Sequence, residues 1–146
     1  MGYARRMRGL NPFQMRNFAA HYTAAWCSQE PARVAEFYAP NGSLTINGGT
    51  PAIGRSEITA VAKEFMIAFP DLRVDMDDLR IKDEHIEYHW TLTGTNTGPG
   101  GTGKQVRISG FESWVMSEDG FIARSLGSFD SVEYERQLRG GSAEVR

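Results

Sequence analysis

The residue best suited to chemistry is Glu112, because it places a carboxylate within a run of apolar side chains. Alternate positions from Val106 to Met116 read Val, Ile, Gly, Glu, Trp and Met, which predicts one buried face of a strand. Burial removes hydration from a carboxylate, which raises its pKa and suits it to proton transfer near neutral pH. Two other interpretations stay open. The glutamate could pair with a buried tyrosine hydroxyl or indole N–H, or a twisted or bulged strand could turn it outward.

The three histidines do not form a metal site by their spacing. His85 and His89 share one face of a predicted strand with Glu87 between them, but residues four apart in a strand lie about 13 Å apart, too far for one ion. We interpret this set as a polar sheet face or a dimer contact. We expect His21 at the surface of a helix. The sequence has no cluster with zinc-like spacing, so we predict neither a metal nor an organic cofactor.

Cys27 and the glycine-rich residues 98–103 do not form a nucleophilic or a phosphate-binding motif. Cys27 has no partner for nucleophilic catalysis in the sequence, and we interpret it as a small packing residue. Residues 98–103 are rich in glycine but lead into a strand, whereas a phosphate-binding loop leads into a helix. We interpret them as a mobile hairpin tip.

Composition excludes several classes of partner. The chain has 146 residues, a net charge of -2 and a single cysteine, which fits one domain without disulfides. A weakly acidic chain is not expected to bind nucleic acid, and no apolar run is long enough to cross a membrane. We therefore expect a cytoplasmic protein that contacts neither nucleic acid nor a membrane.

The ends of the chain differ from its middle. Arg5, Arg6, Arg8 and Arg16 crowd the N-terminus without interleaved aromatic residues. We predict a flexible basic segment over residues 1–11, one domain over residues 12–139 and a loose tail over residues 140–146.

Three helices are expected in the first half of the chain. Asn11 and Pro12 start the first, and Pro31 starts a short second helix that ends at Asn41-Gly42 with Phe37 and Tyr38 facing inward. Ser56 is a candidate cap for the third, which Pro70 stops. A short strand is expected over residues 43–47, between the second and third helices.

The apolar period changes to two after Pro70. Strands are expected around residues 72–76, 86–93, 106–116 and 121–129, joined by turns at Gly98–Gly101 and Asp119-Gly120, with a final helix at residues 131–138. Helices followed by hairpin-linked strands predict an α+β fold with a curved antiparallel sheet. One face of this sheet should pack on the helices. The other face is polar and carries His85, Glu87, His89, Gln105 and Arg107. Since no helix remains to cover it, we expect a homodimer through this face.

Four segments together resemble the SnoaL-like polyketide cyclases, which belong to the nuclear-transport-factor-two-like superfamily. They are Phe69–Leu72, Trp90–Pro99, Ile108–Phe111 and Glu118–Gly120, in the order and at about the spacing of that family. The resemblance runs from about Asn17 to Leu138. It implies a cone-shaped sheet wrapped by three N-terminal helices, with a pocket at the wide end. Relatives include cyclases, ketosteroid isomerases, dehydratases and epoxide-opening enzymes, and many form dimers through the sheet.

The last strand departs from the family pattern. Where these cyclases commonly carry a histidine and a catalytic aspartate, this chain has Ser125 and Gly127. Glycine cannot transfer a proton, so the family's usual mechanism does not apply to this chain unless Glu112 acts instead from the opposite wall. Asp130 is more suited to capping the final helix.

The expected pocket is apolar with a few polar groups that orient a ligand. Its predicted walls are Tyr22, Trp26, Phe65, Phe69, Tyr88, Trp90, Trp114, Ser125, Gly127 and Phe129, although the aromatic residues among them could equally form a solid core.

Three functions are compatible with this sequence. The first is a cyclase, isomerase or lyase acting on an apolar carbonyl compound, with Glu112 as the acid/base and Tyr22 or the Trp114 N–H stabilising the enolate. The second is a non-catalytic module that binds a hydrophobic small molecule, which Ser125 and Gly127 favour. The third is a structural dimerisation domain. Epoxide hydrolysis would need an Asp–Arg–Asp set that the inward positions do not supply.

Overall fold

The computed structural model describes residues 10–140, so the predicted flexibility of residues 1–9 and 141–146 lies outside the described residues. Residues 10–140 form four helices and six strands. The helices are α1 (Pro12–Trp26), α2 (Pro31–Ala35), α3 (Arg55–Ala68) and α4 (Ser131–Leu138). The strands are β1 (Tyr38–Ile46), β2 (Ala52–Ile53), β3 (Arg73–Ile81), β4 (Ile86–Thr95), β5 (Gln105–Met116) and β6 (Ile122–Phe129). Along the chain they follow in the order α1, α2, β1, β2, α3, β3, β4, β5, β6 and α4.

The helix boundaries follow from local chemistry at three of the four N-termini. Asn11 and Gln14 cap α1 reciprocally, each side chain accepting the other residue's backbone N–H. Pro31 begins α2, and Asp130 caps α4 by accepting from the backbone N–H of Glu133. The prediction of Ser56 as the N-cap of α3 was wrong by two residues: the N-cap is Gly54, and Ser56 lies inside the helix.

Helix α2 is shorter than predicted, because the chain turns into a strand before Asn41-Gly42. It ends at Ala35, and Tyr38 already belongs to β1. Asn41 and Gly42, which were predicted to end the helix, lie inside β1 at a break in its register with β6.

One open sheet has the strand order β2-β1-β6-β5-β4-β3. Strands β3 to β6 form consecutive antiparallel pairs, as the hairpin pattern predicted. Strand β1 adds a parallel pair beside β6, so the sheet is mixed rather than wholly antiparallel. The α+β architecture is confirmed.

The core lies between the helices and one face of the sheet. Met15, Ala19, Tyr22 and Trp26 on α1 are all buried, as are Ile58, Ala62 and Met66 on α3. These positions recur at helical spacing, so each helix presents one apolar face to the strands. None of the helices between residues 10 and 140 has the length and apolar character needed to cross a bilayer.

Gly110 allows the sheet to pack closely on its inner face. A Cβ at this position would lie 2.2 Å from the carbonyl oxygen of Ser128 and 2.8 Å from Cζ2 of Trp90. The missing side chain therefore makes room for the Trp90 indole to lie across β5.

Helix α4 completes the edge of β5 beyond the end of β6. The Gln137 side chain accepts from the backbone N–H of Arg107 at 2.7 Å and donates to its carbonyl at 3.0 Å. One side chain thus replaces a strand neighbour for this residue.

Candidate functional site

A cavity opens between the helices and the inner face of the sheet. Its empty volume is about 610 Å³ with the open mouth included, and the enclosed part is a small fraction of this. The walls that residues 10–140 form are almost wholly apolar, and Glu112 is the one acidic or basic residue among them. The lining residues are Trp26, Leu44, Ile46, Phe65, Val74, Tyr88, Trp90, Leu92, Ile108, Glu112, Gly127, Ser128, Phe129 and Tyr134.

Glu112 lies on the inner face of the sheet, as its position in the apolar stripe predicted. It pairs with Tyr88 on β4 and with Gly127 on β6, and its side chain is buried, with 7% of the residue exposed. The register break in β5 falls later, between Val115 and Met116, so no bulge turns Glu112 outward.

Three side chains donate hydrogen bonds to one oxygen of Glu112. Its Oε1 accepts from the Trp114 indole N–H at 2.7 Å, from the Ser125 hydroxyl at 2.8 Å and from the Tyr22 hydroxyl at 2.9 Å. Its Oε2 has one longer contact, with the Tyr22 hydroxyl at 3.2 Å. The two oxygens are therefore unequal, and Oε2 keeps capacity for a further hydrogen bond.

The hydrogen-bond network continues away from the cavity through a second tyrosine. The hydroxyls of Tyr22 and Tyr38 lie 2.9 Å apart, and both side chains are fully buried. Since either hydroxyl can donate, the pair can reorient its protons when the charge on Glu112 changes.

Burial raises the pKa of Glu112, because the carboxylate is removed from water. The hydrogen bonds from Trp114, Ser125 and Tyr22 act in the opposite direction, since they stabilise the ionised form, but burial is the larger effect. Burial, with the charge of Glu112 second, also raises the pKa of Tyr22 and of Tyr38 well above the ordinary tyrosine value. Both tyrosines therefore stay neutral donors.

Aromatic packing fixes the donors that surround Glu112. The Trp114 ring stacks on Tyr88 with centroids 4.9 Å apart and meets Tyr22 edge-to-face at 5.1 Å. The Trp114 and Tyr22 side chains have no exposed surface. These contacts hold the indole N–H and the phenol hydroxyl in place.

The predicted site residues fall into two groups. Trp26, Phe65, Tyr88, Trp90, Glu112, Gly127 and Phe129 line the cavity. Tyr22, Phe69, Trp114 and Ser125 lie outside its lining and have no exposed surface. Of this second group, all but Phe69 contact Glu112.

Several wall residues were not predicted. Leu44 and Ile46 lie on β1. Their alternation with polar residues could have placed both on the inner face of the short strand predicted there. Tyr134 on α4 is another, and it packs edge-to-face on Phe129 with centroids 5.4 Å apart. No local pattern links these residues to the others, because their elements are far apart in the sequence.

Gly127 leaves space beside the carboxylate. A Cβ built on Gly127 would lie 3.7 Å from the Cγ of Glu112, an ordinary contact distance. The expectation that Glu112 lies on the opposite wall was wrong: Gly127 is its cross-strand neighbour, because β5 and β6 pair at these positions. In this chain the position of the family's catalytic aspartate contributes only backbone to the wall.

The histidines lie away from the cavity. His85 and His89 flank Glu87, with nitrogen–oxygen distances of 3.4 and 3.2 Å, and their hydrogen bonds lower the pKa of Glu87. His21 is exposed on α1. Within residues 10–140, no three histidine, cysteine or acidic side chains form a group that could hold a metal ion.

The glycine-rich segment and Cys27 also lie outside the lining. Asn96 ties residues 98–103 to the end of α3: it donates to the carbonyl of Ala68 and accepts from the backbone N–H of Thr102. A Cβ on Gly98 would lie 1.9 Å from the carbonyl oxygen of Ile67, so the loop packs tightly there. Cys27 is exposed rather than packed, with its Sγ 3.3 Å from backbone atoms of Val74.

Comparisons with solved structures identify the fold. TsrD from Streptomyces laurentii has a TM-score of 0.76 and 18% identity over 90% of this chain and 98% of its own. A hypothetical protein with a ketosteroid isomerase-like fold from Catenulispora acidiphila, in complex with trimethylamine, has a TM-score of 0.73 and 13% identity over 84% and 92%. SalBIII, an epoxide hydrolase/cyclase-like enzyme of pyran ring formation in salinomycin, has a TM-score of 0.73 and 12% identity over 84% and 95%.

The sequence itself matches one family model. No curated protein matches the chain. The model of the SnoaL-like polyketide cyclases matches residues 16–138, which include every residue that lines the cavity and every hydrogen-bond partner of Glu112. The chain therefore belongs to the SnoaL-like polyketide cyclase family.

Proposed function

We propose that the protein is a cyclase, isomerase or lyase that moves a proton on an apolar, carbonyl-containing small molecule, with Glu112 as the acid/base. One observation carries this proposal: the cavity has apolar walls and a single buried carboxylate. An apolar wall favours an apolar ligand, and a carboxylate of raised pKa is suited to exchange protons with it.

The inequality of the two carboxylate oxygens supports a direction for the proton transfer. Oε1 is occupied by the donors Trp114, Ser125 and Tyr22, whereas Oε2 has only the longer contact with Tyr22. A proton on Glu112 is therefore favoured on Oε2, and the same oxygen is the one free to accept a proton from a ligand.

The proposed reaction is an enolisation. Oε2 of ionised Glu112 takes a proton from the carbon next to the carbonyl, the C–H electrons form the new C=C bond, and the carbonyl π electrons move to the oxygen. Return of the proton to another carbon isomerises the compound. Attack of the enolate carbon on a second carbonyl of the same molecule closes a ring, with the proton going to the new alkoxide.

In this proposal Tyr22 and Trp114 do not stabilise the enolate. Both donate to Glu112 rather than towards an enolate oxygen. In this proposal they position the base and stabilise its ionised form.

A non-catalytic binding module is the second candidate. The saturation of Oε1 by three donors favours it, since buried glutamates with several hydrogen bonds are also found in purely structural networks. The aspartate position of the family is Gly127, which is also consistent with a pocket that binds without reacting.

Exchange of carbon-bound hydrogen tests catalysis without knowledge of the natural substrate. 2-Tetralone is an apolar ketone whose C1 protons are activated by both the carbonyl and the aromatic ring. In deuterated buffer near neutral pH, we expect the wild-type protein to speed the loss of the C1 proton NMR signal. Glu112→Gln should remove the acceleration, because the amide keeps the shape but cannot act as a base.

The matched control is Glu135→Gln, which changes an exposed carboxylate on α4 and should exchange as the wild type does. If the wild type binds 2-tetralone without exchange above buffer, and Glu112→Gln binds it equally well, the binding module is the correct function. Failure of the ketone to bind at millimolar concentration would contradict both candidates.

A further inference from the structure

Trp90 has an unusual position among the walls of the cavity. It lies on β4 opposite Gly110, on the same inner face as Glu112, and its ring lines the cavity. Among the side chains of residues 10–140, its indole nitrogen is the one buried polar atom without a hydrogen-bond partner. Buried polar groups are almost always paired, so an unpaired one in a cavity wall requires an explanation.

Trp114 offers a comparison with the unpaired indole N–H of Trp90. The Trp114 N–H is also buried, and it donates to Glu112 at 2.7 Å. The same chemical group is therefore satisfied within the fold at one position of this sheet and left unsatisfied at another. Only the unsatisfied one belongs to a residue that lines the cavity.

Neighbouring rings fix the Trp90 side chain. Cζ2 lies over Gly110, and the ring meets Phe129 edge-to-face with centroids 6.0 Å apart. Cζ2 and the indole nitrogen are both bonded to Cε2, so the N–H edge lies on the Gly110 side of the ring. The donor is thus held in place before any ligand binds.

The position of Trp90 relative to Glu112 suits a ligand with a carbonyl group. Inward positions 110 and 112 of β5 are about 7 Å apart along the strand. A ketone can span that separation. Its carbonyl oxygen accepts from a donor near position 110, and the C–H on the neighbouring carbon faces a base at position 112.

We propose that the Trp90 indole N–H is the anchor for the carbonyl oxygen of the ligand. This inference deepens the proposed function and rests on it. The N–H orients the ketone so that its acidic C–H meets Oε2 of Glu112. It then stabilises the enolate oxygen as negative charge develops there, a role that Tyr22 and Trp114 cannot fill while they donate to Glu112.

A matched pair of ligands tests the anchor. 2-Tetralone and tetralin have the same bicyclic skeleton, and only the ketone has an acceptor. We expect Trp90→Phe, which keeps an aromatic wall, to lower the affinity for 2-tetralone relative to tetralin by about three- to tenfold, the usual range for one hydrogen bond. Glu135→Gln, at an exposed position of α4 outside the cavity, should leave the ratio of the two affinities as in the wild type.

An NMR measurement on the wild-type protein does not depend on the variants folding. The three tryptophans give three indole N–H signals, and the Trp90 signal should move downfield with 2-tetralone but not with tetralin. An unchanged affinity ratio in Trp90→Phe, or an indole signal that responds equally to both compounds, would overturn the anchor. Binding of neither compound would overturn it together with the proposed function.

The exchange experiment separates the two failures. If the wild type exchanges the C1 protons but the Trp90 N–H shows no preference for the ketone, enolisation stands and the anchor does not. If the ketone preference depends on Trp90 but no exchange occurs, the anchor stands in a binding module, and the catalytic proposal fails.

Discussion

At Glu112, burial and hydrogen bonding act in opposite directions on one carboxylate. Desolvation favours the protonated form, whereas the N–H of Trp114 and the hydroxyls of Ser125 and Tyr22 favour the ionised one. A carboxylate under two opposing influences of this kind can change its charge when a ligand alters either of them. Displacement of water by an apolar ligand would favour the protonated form further.

The pH dependence of stability should report the raised pKa of Glu112. The unfolded chain has an ordinary glutamate pKa of about 4.3, and the folded value is higher. The stabilisation is therefore fully present below the unfolded pKa and is lost as pH rises through the folded pKa. We expect the free energy of unfolding of the wild type, relative to Glu112→Gln, to fall across this interval and then level off.

Urea unfolding of both proteins from pH 3.5 to 9 gives this difference, and titrations of other groups cancel in it. A difference that stays constant, or that grows with pH, would show that the pKa of Glu112 is not raised.

Trp114 should be a large contributor to stability. It has no exposed surface and contacts both Tyr22 and Tyr88, so Trp114→Ala removes a core ring and a donor to a buried carboxylate. We expect a loss of about 3–5 kcal/mol in the free energy of unfolding. Trp90→Ala should cost less, because the cavity already leaves part of that ring uncovered. Equal losses in urea unfolding would contradict the distinction between core and wall.

At the scale of the elements, the strand alternation determined which face Glu112 occupies, and this could be read from the sequence. Its hydrogen-bond partners could not all be read in this way. Trp114 lies two positions from Glu112 on β5, so the alternation places both on one face. Tyr22 and Ser125 come from α1 and β6, and no local pattern specifies that side chains so far from Glu112 in the chain reach the same oxygen. The sequence indicated each of them as a pocket residue, whereas packing determined that they donate hydrogen bonds to the carboxylate from outside the cavity lining.

Strand β1 shows a different limit of sequence analysis. Asn41 and Gly42 are typical of a turn, and they suggested that the strand begins only at residue 43. In the structure the strand begins at Tyr38 and accommodates them by a break in register between Tyr38 and Ser43. Local turn propensity is overridden here by pairing with β6, which begins more than 80 residues later.

Gln137 should hold the edge of β5 in place. Gln137→Ala leaves the backbone N–H and carbonyl of Arg107 without their partner, which should cost about 1–3 kcal/mol of stability. The amide proton of Arg107 should also exchange faster with solvent, as measured by NMR. Glu135→Ala, at an exposed position of the same helix, is the control. Loss of stability without faster exchange at Arg107 would assign the effect to helix α4 as a whole.

At the scale of the whole molecule, the outer face of the sheet is the surface through which the sequence predicts a dimer. It carries Glu87 between His85 and His89, and Phe111 stacks on His89 with ring centroids 5.2 Å apart. Gln105, Arg107 and Ser109 are exposed beside them. Phenylalanine and arginine are enriched in protein–protein interfaces, and this face carries Phe111 and Arg107.

We propose that the protein is a homodimer through this face. Sedimentation velocity at micromolar concentration should give the mass of two chains. Phe111→Glu places a charge in the centre of the face and should give a monomer with an unchanged circular dichroism spectrum. A wild-type monomer at these concentrations would rule out the dimer, and a Phe111→Glu dimer would assign the interface to another surface.

The parallel pairing of β1 with β6 has a consequence for how the protein folds. Leu44 lies opposite Ser125, so this contact closes a loop of about 80 residues, whereas β3 to β6 can pair as successive hairpins. The cavity needs Leu44 and Ile46 from one strand and Gly127 to Phe129 from the other. We therefore expect the cavity to form late, after the main barrier. A ligand such as tetralin should then slow unfolding in stopped-flow experiments without accelerating refolding.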